Sequence, residues 1–76
     1  MEIQKFVENF AAQFEETDTD LFIAETLFRE NEEWSSMTTL SIIAMVDEEY
    51  HVRLTGDDIR ASKTIEDVYN CVQSKN

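Results

Sequence analysis

Two adjacent hydroxyls, Ser35 and Ser36, stand in front of the run Met37-Thr38-Thr39-Leu40 and, with Trp34 between, behind the acidic cluster Arg29-Glu30-Asn31-Glu32-Glu33. A helical apolar pattern that opens on a serine marks a helix N-terminus, because a serine oxygen can accept from the N–H two or three residues on. Either serine could supply that cap. A hydroxyl exposed at such an end is also a point of attachment, since unpaired backbone N–H groups and the positive end of the helix dipole favour a phosphate there. A serine that attacks a substrate needs a base. The only histidine, His51, lies fifteen positions further on, roughly 20 Å or more along a helix that rises about 1.5 Å per residue. The spacing therefore excludes a serine-histidine nucleophile pair, and the role it leaves to Ser36 is that of a substrate for another enzyme.

The remaining reactive types are few. Asp18-Thr19-Asp20 imitates the opening of a calcium loop, but Ile23 falls where the turn glycine belongs and Arg29 where the bidentate glutamate belongs, so calcium is not expected. The lone His51, near a helix end, is expected to meet the dipole or solvent and not a metal. Cys71 is the only cysteine, which excludes an internal disulfide and a thiol-rich metal site and fits a reducing compartment. No Gly-rich phosphate loop occurs. The chain is expected not to be an enzyme.

Seventeen acidic residues against six basic ones leave a net charge of −11, which repels nucleic-acid phosphates and anionic lipid at long range. Positively charged partners are expected instead, and the like charge favours a monomer. A hydrophobic content of 42% is too high for simple disorder. Length allows one domain, 1–76. No apolar run reaches the roughly 18 residues of a membrane span, and Met1-Glu2-Ile3-Gln4-Lys5 lacks the start of a secretory signal, so a cytoplasmic location is expected.

The elements that position these residues read as helices, since there is no proline and one glycine, Gly56. Ile3, Phe6, Val7, Phe10, Ala11 and Phe14 recur on one stripe, which predicts a core-facing helix over 2–16 with Glu2, Lys5, Glu8 and Glu15 in water. From 17 to 35 the pattern breaks into a long, partly helical loop anchored by Leu21, Phe22, Ile23, Leu27 and Phe28; a connection of that length favours a binding role. The second helix is predicted from the Ser35 cap to about Tyr50. It is apolar on more than one side, with Met37, Leu40, Ile43 and Ala44 on one and Ile42, Val46 and Tyr50 on another. Either both sides are buried, or Met37, Leu40 and Met45 include an apolar strip for a ligand or partner. A short helical turn follows at Thr55-Gly56-Asp57-Asp58-Ile59, and Thr64-Ile65-Glu66-Asp67 reads as the capped start of a last helix over 65–74. Trp34 is placed to staple the loop onto the core. The expected fold is all-α, a small four-helix bundle of three main helices and one short one.

The segment from Glu33 to Tyr50, with Ser35-Ser36-Met37 followed by an apolar helix and the end Asp47-Glu48-Glu49-Tyr50, resembles the acyl carrier protein family, whose attachment serine lies in an Asp-Ser-Leu motif. Downstream, Leu54-Thr55-Gly56-Asp57-Asp58-Ile59 and Lys63-Thr64-Ile65-Glu66-Asp67-Val68 are similar to that family's short third helix and the start of its fourth. The resemblance covers nearly the whole chain and is most specific between 34 and 50. It implies a 4′-phosphopantetheine arm on Ser36 that carries acyl groups as thioesters in fatty-acid, polyketide or related synthesis. It also implies docking of a phosphopantetheinyl transferase and of acyl-handling enzymes, through their basic patches, on Glu32, Glu33, Asp47, Glu48 and Glu49, with Met37 and Leu40 as further partner-binding residues and Met37 beside the arm. A modest interior among Phe6, Phe28, Leu40 and Ile43 would shelter a short acyl chain.

Two letters depart from the family motif. Ser35 stands in place of aspartate, which keeps a capping oxygen but gives up a charge worth about 0.3–1 kcal/mol at a helix N-terminus, and it bears on recognition by the transferase. Met37 for leucine keeps an apolar side chain of similar volume. The alternative expectation is an acidic helical adaptor of carrier-like shape that binds a basic partner without being modified.

Overall fold

The computed structural model describes residues 2–75. Four α-helices follow in order: α1 at Ile3–Ala11, α2 at Ser36–Tyr50, α3 at Gly56–Arg60 and α4 at Ile65–Lys75. Single 3₁₀ turns at Thr19–Leu21 and Phe28–Glu30 break the long connection between α1 and α2. No strand occurs among the described residues, so the all-α reading, with three longer helices and one short one, holds. α1 packs on both α2 and α4, and α3 bridges α2 to α4.

The first helix is shorter than its apolar stripe predicted. It ends at Ala11 rather than reaching 16, and the chain tightens into i→i+3 bonds, Gln13 N–H to Phe10 O at 3.1 Å and Phe14 N–H to Ala11 O at 3.0 Å. That tightening keeps Phe14 on the buried side with Phe6, Val7, Phe10 and Ala11, so the stripe outlasts the helix. Aromatic rings fill the interior in a chain. Phe10 meets Phe14 at 6.0 Å and Phe28 at 5.3 Å between centroids, and Phe28 meets Trp34 edge-on at 4.8 Å. Trp34 thus holds the end of the connection against the core, as its place before α2 suggested.

The connection over 12–35 is anchored differently from expectation. Phe22 and Phe28 are buried, but Leu21, Ile23 and Leu27 face water. Hydrogen bonds do the rest. Ala24 O accepts from Glu66 N–H at 2.9 Å and Thr26 O from Ile65 N–H at 3.3 Å, so the loop satisfies donors that the first turn of α4 would otherwise leave open. Arg29 Nη1 donates to Arg60 O at 3.1 Å, at the end of α3.

The cap read at Thr64 forms, and the short turn at Thr55 proves to be capped as well. Thr55 and Asp58 make a reciprocal capping box on α3, and Thr64 Oγ1 accepts from Asp67 N–H at 3.1 Å while Asp67 Oδ2 accepts from Thr64 N–H at 3.1 Å. The end of α2 is less regular. His51 takes the left-handed conformation, φ 57°, that a glycine adopts more easily, and its N–H closes on Asp47 O at 3.0 Å.

The sides of α2 also differ from the two groups read in sequence. Ile42, Met45 and Val46 are buried, and Ile43 and Tyr50 are partly buried, whereas Met37, Leu40 and Ala44 are exposed. One side is packed and the other carries an apolar strip to the solvent. Leu40 therefore does not line an interior with Phe6, Phe28 and Ile43: Phe6 and Phe28 are fully enclosed among aromatic rings, and Leu40 is 65% exposed.

Candidate functional site

The start of α2 separates the two serines. Ser35 sits in extended backbone, φ −156° and ψ 177°, and its Oγ accepts from Thr38 N–H at 3.3 Å. Thr38 Oγ1 in turn donates to Glu33 O at 2.8 Å, and Thr39 Oγ1 donates to Ser35 O at 3.1 Å. Ser35 is thus the cap and Ser36 is the first helical residue, exposed and outside the capping arrangement. No acidic residue lies in that first turn, so the positive end of the dipole is uncompensated by side-chain charge.

The far end of α2 shows the opposite imbalance. Asp47, Glu48 and Glu49 occupy its last turn, exposed, with no basic residue among them. Anions at a helix C-terminus oppose the dipole and cost rather than contribute, typically about 0.3–1 kcal/mol each before salt screening. The helix carries its acids where they do least for its own stability. His51 lies at this same end, a helix length from Ser36, so the structure does not bring the histidine and the serine together.

Glu32 is exposed, but Glu33 is not free in the same sense. Its Oε1 accepts from the Thr17 hydroxyl at 2.5 Å and its Oε2 from Glu16 N–H at 2.9 Å, while its own N–H donates to Asn31 Oδ1 at 2.7 Å. The Thr17 hydroxyl, and after it the Glu16 N–H, hold the Glu33 carboxyl below the usual carboxylate range. This network was invisible in the sequence, because Thr17 and Glu33 are separated by sixteen positions and share no motif. A shallow cleft of about 230 Å³ beside it is lined by Gln13, Glu15, Glu33, Met37, Thr38 and Ser41, next to the Ser36 end of α2.

Met37 and Leu40 are 76% and 65% exposed, which places two large apolar side chains on α2 within one turn or so of Ser36. The connection adds Leu21, Ile23 and Leu27 to the exposed apolar set, residues that sequence reasoning assigned to the interior. Cys71 is partly buried, and burial first, then the charge of Asp58, pushes its thiol above the ordinary value, which is the environment of an unreactive side chain. Among the described residues no group of three or more His, Cys, Asp or Glu side chains is arranged to hold a metal, and no helix is long and apolar enough to cross a membrane. Comparison with family models, with curated proteins and with solved structures returns no match for this chain.

Proposed function

We propose that this chain is an acyl carrier protein whose Ser36 bears a 4′-phosphopantetheine arm, and that it presents acyl groups to partner enzymes and does no catalysis itself. The observation that carries the reading is the division of labour between the serines: Ser35 takes the cap, and Ser36 is left as an exposed hydroxyl on the first residue of an apolar helix. The residues present fit the arm. A phosphodiester on Ser36 would sit at an uncompensated helix N-terminus, with Met37 and Leu40 offering apolar contact to the stem. When bound, the arm supplies a terminal thiol on which acyl groups ride as thioesters.

The docking side of the reading rests on charge and on exposed apolar area together. Asp47, Glu48 and Glu49, with Glu32, form acids that do not serve the helix they sit on, and Met37 and Leu40 are apolar side chains that the core does not use. Such a surface suits a partner with basic and apolar residues, met faster at low salt. In this reading the chain works as a cytoplasmic monomer, and the transferase and acyl-handling enzymes of fatty-acid, polyketide or related synthesis are its partners.

The test is attachment. Incubated with coenzyme A and a broad-specificity phosphopantetheinyl transferase, the protein gains one phosphopantetheinyl unit by intact mass, and Ser36→Ala abolishes the gain. A second reading, an unmodified acidic adaptor, is favoured by Ser35 standing where the carrier motif has aspartate. No gain with several transferases, together with salt-sensitive partner binding that Ser36→Ala leaves unchanged, would establish the adaptor instead.

A further inference from the structure

Glu33 is a junction three residues before Ser36. Its carboxylate reaches back to Glu16 N–H and the Thr17 hydroxyl, in the early part of the connection that follows α1. Its N–H is held by Asn31, whose side-chain nitrogen donates to Thr17 Oγ1 at 3.1 Å and so closes a ring through the three side chains. Its carbonyl accepts from Thr38 Oγ1, inside the first turn of α2. Every polar group of this one residue is therefore committed, two to the early part of the connection, one to its later part at Asn31 and one to the turn that presents Ser36. Thr17, Asn31 and Glu33 are each partly buried, which strengthens bonds that would count for little in open water. The ionisable groups lining the clefts on either side are Glu15, Glu16 and Glu32, all of the same sign as Glu33, so it is hydrogen bonds and not an ion pair that hold this carboxylate.

We infer that Glu33 is a positioning residue for the modification of Ser36, acting with Thr17 and Asn31 as a latch between the early part of the connection and the entry of α2, and is not a docking acid. The inference rests on the carrier reading of Ser36. A latch sets where the first turn of α2 sits, and so acts on the transfer itself, in which Ser36 Oγ bonds to the phosphopantetheinyl phosphorus of coenzyme A as the pyrophosphate bond breaks, adenosine 3′,5′-bisphosphate leaves and the hydroxyl proton passes to a base of the transferase. A docking acid acts on encounter.

The two roles separate in transferase kinetics on the intact protein. Thr17→Val removes the hydroxyl and keeps the shape, Glu33→Gln removes the charge and one acceptor, and Thr17→Ser restores the hydroxyl. With coenzyme A and a phosphopantetheinyl transferase, Thr17→Val and Glu33→Gln are each expected to lower kcat on the order of fivefold, the worth of about one hydrogen bond. KM for the carrier should stay unchanged, with the same loss at low and high salt. The double variant should be no worse than the poorer single one, and Thr17→Ser should match the wild type. If Glu33→Gln instead raises KM, loses its effect at high salt and leaves Thr17→Val silent, Glu33 is a docking acid and the inference is overturned. Should the wild-type protein accept no arm, the carrier reading fails on its own, and amide hydrogen exchange at Thr38 and Thr39, whose N–H groups are bonded to Ser35, still decides the latch. Exchange accelerated about fivefold in both variants upholds it, and exchange like the wild type refutes it.

Discussion

Ser35 and Thr38 close the first turn of α2 on each other: the serine Oγ accepts from the threonine N–H at 3.3 Å, and the two side-chain oxygens lie 3.3 Å apart. Because Ser35 supplies the cap, the fold does not draw on the hydroxyl of Ser36 for it. Ser36→Ala should leave thermal stability within about 0.5 kcal/mol, whereas Ser35→Ala should cost about 1 kcal/mol. Ser35→Asp keeps the cap and adds the missing charge, and should stabilise by about 0.3–1 kcal/mol at low salt while speeding arm attachment. Urea denaturation of the three variants, beside transferase rates, checks all of this; a large loss in Ser36→Ala would contradict the assignment of the cap.

Phe28 and Leu40 are both large apolar residues, and they should behave oppositely. Phe28 is fully buried between the rings of Phe10 and Trp34, so Phe28→Ala should cost about 3–5 kcal/mol, enough to threaten folding of so small a domain. Leu40 is 65% exposed, and Leu40→Ser should change stability by less than about 0.5 kcal/mol while weakening partner association. Paired denaturation curves and binding isotherms distinguish the outcomes, and a destabilised Leu40→Ser would place that side chain in the core.

His51 holds a left-handed backbone conformation at the end of α2, with φ 57°. Glycine adopts that conformation without the side-chain clash, so His51→Gly should raise stability by about 1 kcal/mol and the melting temperature with it. A melting temperature lower than the wild type would show that the imidazole contributes more at this helix end than the backbone strain costs.

Asp67 accepts from the N–H groups of both Lys63 and Thr64, and these bonds, Lys63 first, hold its carboxyl below the ordinary aspartate range. A carboxyl whose folded value is depressed contributes stability that is present above its unfolded value, about 4, and that is lost as pH falls through the lower folded one. Acidification also relieves the self-repulsion of a chain at −11, which acts in the opposite direction, so the contrast with a variant is the measurement. In acid titrations followed by circular dichroism, Asp67→Asn should lose less stability than the wild type between about pH 5 and pH 2. Identical acid limbs would mean that the cap adds nothing through its charge.

Much of the architecture was legible in the chain. The stripe from Ile3 to Phe14, the capped starts at Ser35 and Thr64, the helical turn read at Thr55–Ile59 and the scarcity of glycine and proline pointed to four helices, because helical period and N-caps are properties of residues three or four apart. What lay beyond that range was decided by tertiary packing. Whether helix or tighter turn carried the chain past Ala11, and which of Leu21, Phe22, Ile23, Leu27 and Phe28 went inside, depended on where the aromatic rings of α1 found room. The side of α2 that faces water was equally undetermined, since a helix apolar around most of its circumference carries no period to orient it; contact with α1 and α3 buried Ile42, Met45 and Val46 and left Met37 and Leu40 outside. Sequence marked Ser36 as a hydroxyl at a helix start. The fold bears out the cap read at Ser35, but only the folded chain turned Glu33 inward to Thr17, because a hydrogen bond across sixteen residues exists when the backbone brings its ends together and has no trace in local order.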